Sequence, residues 1–430
     1  MKKSLIVLSV ILAVLLVFAT ILIIKISDKE PVASEVTVPA VSEKTTGEET
    51  EEPVITVSET TVPVTSAPET TVTEQTEPSK TEEPTETTTE APTEPPVLES
   101  SEKITANGVS LRTFTEEGHE TVLAEAQEYL SALGLLRGGS AHRSDRAKIR
   151  MAADGMSVTI GKKTYDFVSD EKLYVPIYEI AEFFHYPVWK DEEEGVSYIT
   201  PGARKFELPE NVNVPVLIYH TVSDNCWGYE ELFMSPSSME EQLKYLVEND
   251  YDPIWFEDLA HIEDYDKPVL LTFDDGYDDN YLELFPLLKK YNVKATIFVI
   301  GRDTNGDYHK MNEEQIREIS DSGLVSVQAH GYTHENMDAM DEETLRFEMG
   351  ETKKVISRLT GKVPYVLCYP SGRYSSLTLD LIEEYYDFGI KMNGGLYNTS
   401  ADSIYEISRY YMPRWLDIGS FASYISAAGT

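Results

Sequence analysis

From Asn213 to the end of the chain, short apolar runs alternate with amphipathic stretches, and this rhythm constrains the fold more than any other feature. The runs Val214–Tyr219, Val269–Phe273, Ala295–Ile300, Val325–Ala329 and Tyr365–Tyr369 are followed by stretches of helical period. Those stretches are Ser237–Glu248, Asn280–Tyr291, Glu313–Ser320, Glu342–Leu359 and Ser376–Tyr386. Unbroken apolar runs suit strands buried on both faces, and their alternation with helices predicts parallel βα units. So many units in about half of the 430 residues predict an α/β fold of barrel type. Chemistry in such barrels gathers at the C-terminal ends of the strands. The informative residues are therefore those that end each run.

Two runs end in metal-binding residue types. Val269–Phe273 leads into Asp274-Asp275-Gly276. Adjacent carboxylates are not both ionised cheaply unless a cation or several donors compensate. Val325–Ala329 leads into His330-Gly331-Tyr332-Thr333-His334. Two histidines four residues apart on a loop can converge on one ion, and Asp275 shares their rim. Taken singly, each piece has an ordinary reading, as a turn or a structural histidine; the pairing is what points to a metal. Two imidazoles and one carboxylate leave open positions for water and a substrate oxygen, as a hydrolytic site requires. The ligand set suits a divalent ion, zinc first, with cobalt, nickel, iron or manganese also within its range.

Thr272-Phe273-Asp274-Asp275-Gly276 and His330-Gly331-Tyr332-Thr333-His334 resemble the first two motifs of the polysaccharide deacetylase (NodB-homology) family, carbohydrate esterase family four. The resemblance covers about Val214 to Ile418. It implies a deformed (β/α) barrel that hydrolyses acetyl groups from N-acetylated sugar polymers. It also implies Asp274 as general base and Asp275, His330 and His334 as metal ligands. There are three departures from the family pattern. Cys368-Tyr369-Pro370-Ser371-Gly372 carries Cys368 where the third motif has Arg, although the Ser371 backbone N–H can still act as oxyanion donor. No histidine follows His334, so the late Leu-x-His motif is missing; His220 instead ends the first run. This resembles the branch containing the poly-N-acetylglucosamine deacetylases, where the early histidine supplies the acid. Arg414, in Tyr411-Met412-Pro413-Arg414-Trp415, is expected to bring the missing cation to Asp274. Tyr369, Pro370, Tyr374 and Trp415 are expected to shape the substrate groove. Two other readings stay open: an O-deacetylase of acetylated glycans such as xylan, and a non-catalytic wall-glycan-binding protein.

The rest of the chain divides by composition. Lys2 and Lys3 precede an apolar run from Leu5 to Ile24 interrupted only by Ser9 and Thr20, long enough for the roughly 30 Å hydrocarbon core. Residues 1–27 are expected to be a transmembrane signal-anchor with all that follows extracytoplasmic, a cleaved secretory signal being the alternative. Residues 28–100, dominated by Thr, Glu and Pro, are expected to form a disordered stalk. Residues 101–205 read as a small α+β module. Its expected elements are a helix Glu120–Leu133, strands Ser157–Ile160 and Thr164–Val168, a helix Ile177–Phe184, and strands at Val188-Trp189 and Val196–Ile199. Tyr174–Ile199 resembles the copper amine oxidase N-terminal-like module, but His185 stands alone, which suggests a spacer or a cell-wall contact rather than a copper site. Residues 206–430 form the expected deacetylase domain. A net charge of −39 sets the chain against nucleic acid. Two cysteines, Cys226 and Cys368, make no disulfide framework and read as free thiols.

Overall fold

The computed structural model describes residues 97–201 and 208–429. The expected anchor and most of the expected stalk lie outside the described residues. Among those described, no helix is long and apolar enough to cross a membrane.

The C-terminal half is built on a curved sheet of parallel strands. In chain order they are β1 (Val216–Tyr219), β2 (Pro268–Phe273), β3 (Ala295–Val299), β4 (Val325–Ala329), β5 (Val366–Cys368), β6 (Phe388–Ile390) and β7 (Tyr410–Tyr411). Their spatial order is β6-β5-β4-β3-β2-β1-β7. A single parallel bridge, Ile390 to Ile407, links the residues just before β7 back to β6. Ile407 N–H donates to Gly389 O at 2.9 Å, and Ile407 O accepts from Lys391 N–H at 3.0 Å.

Helices α1 (Pro236–Glu248), α2 (Phe285–Tyr291), α3 (Glu313–Asp321), α4 (Glu342–Thr360) and α5 (Ser376–Ile382) alternate with the strands, and α6 (Ile418–Ile425) closes the chain. Their starts follow local chemistry. Ser235 accepts from Ser238 N at 3.1 Å, Asn312 and Gln315 form a reciprocal capping box, and Asp341 accepts from Thr344 N, each satisfying an orphan donor of the first turn. The expected single helix Asn280–Tyr291 is instead a π-helical turn, Asn280–Leu284, followed by α2.

The period of two along each strand sorts side chains between two cores. Leu217, Tyr219, Leu271, Phe273, Ile297 and Leu367 face the helices. Val216, Leu270, Phe298, Val366 and Cys368 belong to the interior cluster. By the same alternation Asp274 follows Leu270 and Thr272 inward. Register then sets the rim. Tyr219 lies opposite Phe273, Val299 opposite Ala329 and Ala329 opposite Leu367, so His220, Asp274, His330 and Cys368 all emerge at one level.

The N-terminal module carries a five-stranded, a four-stranded and a three-stranded sheet. Val97–Glu99 pairs antiparallel with Phe114–Glu116, so ordered structure begins inside the range assigned to the stalk. The expected helix Glu120–Leu133 divides into a strand, Val122–Glu125, and a helix, Ala126–Ala132. Val122, Leu123 and Ala124 are all buried between two antiparallel neighbours, and sheet pairing there overrides the helical spacing. The module docks on the end of α4. Arg358 grips the buried Asp191 carboxylate through two hydrogen bonds of 2.6 and 3.0 Å, Val363 N–H donates to Thr200 Oγ1, and Gly108 N–H to Gly361 O. These contacts lie beside the entry to β5, at the opposite end of the strands from the rim.

Candidate active site

Asp274 sits where β2 leaves the sheet, its N–H donating to Tyr219 O at 2.9 Å. Its carboxylate is buried and accepts two parallel hydrogen bonds from Arg409, Nη1 to Oδ1 at 2.7 Å and Nη2 to Oδ2 at 2.8 Å. Burial alone would raise the Asp274 carboxyl, but the Arg409 charge and its hydrogen bonds prevail and hold it below the usual range. Arg409 is itself fully enclosed. Nε donates to Lys391 O at 3.0 Å, Nη1 to Thr272 Oγ1 at 3.0 Å, and Nη2 to Cys368 Sγ at 3.2 Å. The Cys368 thiol in turn lies 3.5 Å from Asp274 Oδ2.

The neighbouring Asp275 adopts a left-handed backbone, φ 73°. Gly276 follows at φ 66°, where an added Cβ would come within 2.9 Å of Val299, so this tight turn needs glycine. Asp275 Oδ1 lies 3.3 Å from His330 Nε2 and 3.1 Å from His334 Nε2. His330 Nδ1 is 2.8 Å from the Cys368 carbonyl, an acceptor only, so Nδ1 carries the proton and Nε2 offers a lone pair to the cluster. Asp275 Oδ1 is buried without a hydrogen-bond donor. The His330 Nε2 lone pair, the His334 Nε2 atom and an orphaned carboxylate oxygen facing one another form a ligand set that fits a divalent cation.

Glu348 of α4 shapes the histidine loop. Its buried carboxylate accepts from Tyr332 N at 2.7 Å, Thr333 N at 2.9 Å and Thr333 Oγ1 at 2.5 Å. Lys310 donates to Asp275 O at 3.0 Å. Beneath β1, Asp279 Oδ1 accepts from Val222 N at 3.0 Å and Asn280 Nδ2 donates to His220 O at 3.0 Å, so the π turn fixes the residues around His220. Burial pushes the His220 imidazole below its ordinary value, against the opposing charges of Asp274 and Asp275.

The structure thus gathers His220, Asp274, Asp275, His330 and His334, and corrects several expectations around them. The cation on Asp274 is Arg409, not Arg414. The Arg414 Nη1 points instead at Ser223 O, Cys226 Sγ and Phe233 O. Tyr369 is buried, its hydroxyl spent on Tyr405 O at 2.9 Å, so it cannot stack on a sugar. Pro370 is buried beside it. Tyr374 packs on Tyr369 with ring centroids 4.6 Å apart and donates to Glu406 at 2.7 Å. Ser371, at φ 55°, and Trp415, 71% exposed, remain at the surface. Both cysteines are free, Cys226 exposed and Cys368 buried.

A parallel sheet ending in an aspartate pair and a histidine pair defines a hydrolase site. The chain belongs to the polysaccharide deacetylase family, whose profile matches residues 261–388. It is 30% identical over 247 residues to YxkH of Bacillus subtilis, which carries the polysaccharide deacetylase name, covering 56% of this chain and 83% of that one. It is 26% identical over 260 residues to a poly-beta-1,6-N-acetyl-D-glucosamine N-deacetylase of Escherichia coli, covering 48% of this chain and 39% of that one. Among solved structures it resembles BC0361, a polysaccharide deacetylase from Bacillus cereus, at 24% identity and a TM-score of 0.48, over 61% of this chain and 85% of that one.

Proposed function

We propose that this hydrolase is a metal-dependent deacetylase of N-acetylglucosamine-containing polysaccharide, working at the outer face of the membrane. The observation that carries the reading is the donor-free Asp275 Oδ1 facing the Nε2 atoms of His330 and His334. The similarity to a poly-beta-1,6-N-acetyl-D-glucosamine N-deacetylase and the early histidine at His220 favour an amino-sugar polymer. The apolar run Leu5–Ile24 behind Lys2 and Lys3 supports anchoring.

Asp275, His330 and His334 would hold the ion, zinc first, which when bound supplies Lewis acidity at the acetyl carbonyl. Asp274, kept ionised and aimed by Arg409, takes the proton of the attacking water. His220, within reach of both carboxylates' charges, hands a proton to the leaving nitrogen. The Ser371 backbone N–H donates to the oxyanion.

Acetate release from peptidoglycan, β-1,6-linked poly-N-acetylglucosamine and acetyl-xylan, measured side by side, tests the reading. Release from an amino-sugar polymer is expected, abolished by chelation and by Asp274→Asn while the variant keeps its metal on elemental analysis. Release from xylan alone would make the enzyme an O-deacetylase. Glycan binding without release from any polymer would make it a binding protein.

A further inference from the structure

The loops beyond the C-terminal strand ends carry four exposed aromatic residues, Trp227, Tyr229, Tyr308 and Trp415. Trp227 is the one built into a fixed assembly. It lies flat on His309, centroids 4.3 Å apart and planes 7° apart. It also makes edge contacts with Phe233 at 5.0 Å and Tyr277 at 5.1 Å, and it is still 38% exposed.

Its support runs back to the metal cluster. Lys310 Nζ lies 3.6 Å from the centre of the Tyr277 ring and donates to the Asp275 carbonyl. Tyr277 and Lys310 also form an antiparallel bridge, and Asp278 N–H donates to His309 O at 2.8 Å. Tyr308 and His309 are held in successive left-handed conformations, φ 53° and 60°, without a glycine. Such conformations in bulky residues are costly and persist where their surroundings impose them. Here they lay His309 against Trp227 and leave Tyr308 89% exposed. On the other side Arg414 reaches both ends of the Trp227 loop at once, at Ser223 O and Phe233 O, and touches Cys226 Sγ between them.

We infer that Trp227, backed by His309 and flanked by Tyr308, is a stacking subsite for a sugar ring next to the one being deacetylated, so that the enzyme acts on residues within a chain. A pyranose ring has an apolar face of C–H groups and a polar circumference, and a flat, rigid aromatic set among polar groups matches both. A neutral glycan also suits this strongly acidic chain better than an anionic membrane surface. The inference rests on the proposed deacetylase function, and Arg414 becomes a positioning residue for the subsite.

The test uses the full chain, with β-1,6-linked N-acetylglucosamine pentamer and 4-nitrophenyl acetate as substrates. Trp227→Ala should raise KM for the pentamer about 10-fold, leaving kcat, aryl acetate hydrolysis and metal content unchanged. Trp227→Phe should recover most of the loss, and Tyr308→Ala should show a smaller rise in KM. An unchanged KM in Trp227→Ala, or an equal loss on both substrates, overturns the subsite. Calorimetric titration of the pentamer into wild type and Trp227→Ala separates the two readings. Binding lost in the variant upholds the subsite even where the wild type releases no acetate, an outcome that would sink the proposed function alone; binding equal in both overturns the subsite.

Discussion

At the scale of single residues, the decisive contact is the fork of Arg409 on Asp274. Removing the guanidinium, as in Arg409→Met, leaves the Asp274 carboxylate buried without its paired counter-charge, and burial raises it. The acid limb of the kcat/KM profile should therefore move to higher pH, with a loss of about 10²-fold or more at neutral pH. Arg409→Lys should not restore the rate, since an ammonium cannot make the paired hydrogen bonds. Arg414→Ala should leave the acid limb where it is, because Arg414 touches backbone carbonyls and a thiol rather than Asp274. A shift of that limb in the Arg414 variant would reverse the assignment. The sequence made clear that Cys368 left Asp274 short of a cation, but it did not show which arginine filled the gap. Arg409 lies just ahead of a two-residue strand, with no apolar run to announce it, and only the bridge at Ile407 reveals that this segment lines the interior.

At the scale of elements, the ligand positions are set by loops that helices hold. Glu348→Ala removes the acceptor for Tyr332 and Thr333 and should weaken zinc binding about 10–100-fold by competition titration. The π turn adds a pH dependence. Burial, outweighing the opposing Val222 hydrogen bond, raises Asp279 to about 7, above the roughly 3.9 of an unfolded aspartate. A raised carboxyl holds its proton longer in the folded state, so its contribution is greatest at low pH and is lost as pH rises from about 4 through 7, by about 4 kcal/mol at most. Asp279→Asn should flatten that part of the slope, measured as urea midpoints at pH 5 and pH 8; parallel slopes in both proteins would refute it. The alternating rhythm of strands and helices was plain in the sequence because each strand is buried on both faces. The Glu348 anchor was not, since a glutamate within a charged amphipathic helix looks like solvent-facing surface until the loop above it is placed. Trp227 and His309 were hidden for the same reason, being distant in sequence and brought together by two loops.

At the scale of the molecule, the N-terminal module grips the barrel far from the chemistry. Breaking the Arg358 fork on Asp191 by Arg358→Ala should lower Tm by about 2–4 °C and leave kcat/KM on a soluble oligosaccharide unchanged, since the contact sits at the strand entrance. A matching loss of activity would show that docking shapes the rim. Among the described residues, β6 meets the segment before β7 through a single bridge, Ile390 to Ile407. Local opening favours places with few backbone hydrogen bonds, so in native-state hydrogen exchange the amides of Lys391 and Ile407 should lose protection before those of β2 to β4. Arg409 is two residues from that join. An excursion of this seam would draw the guanidinium away from Asp274 and leave the base transiently without its counter-charge, tying the readiness of the base to the breathing of the segment that carries Arg409.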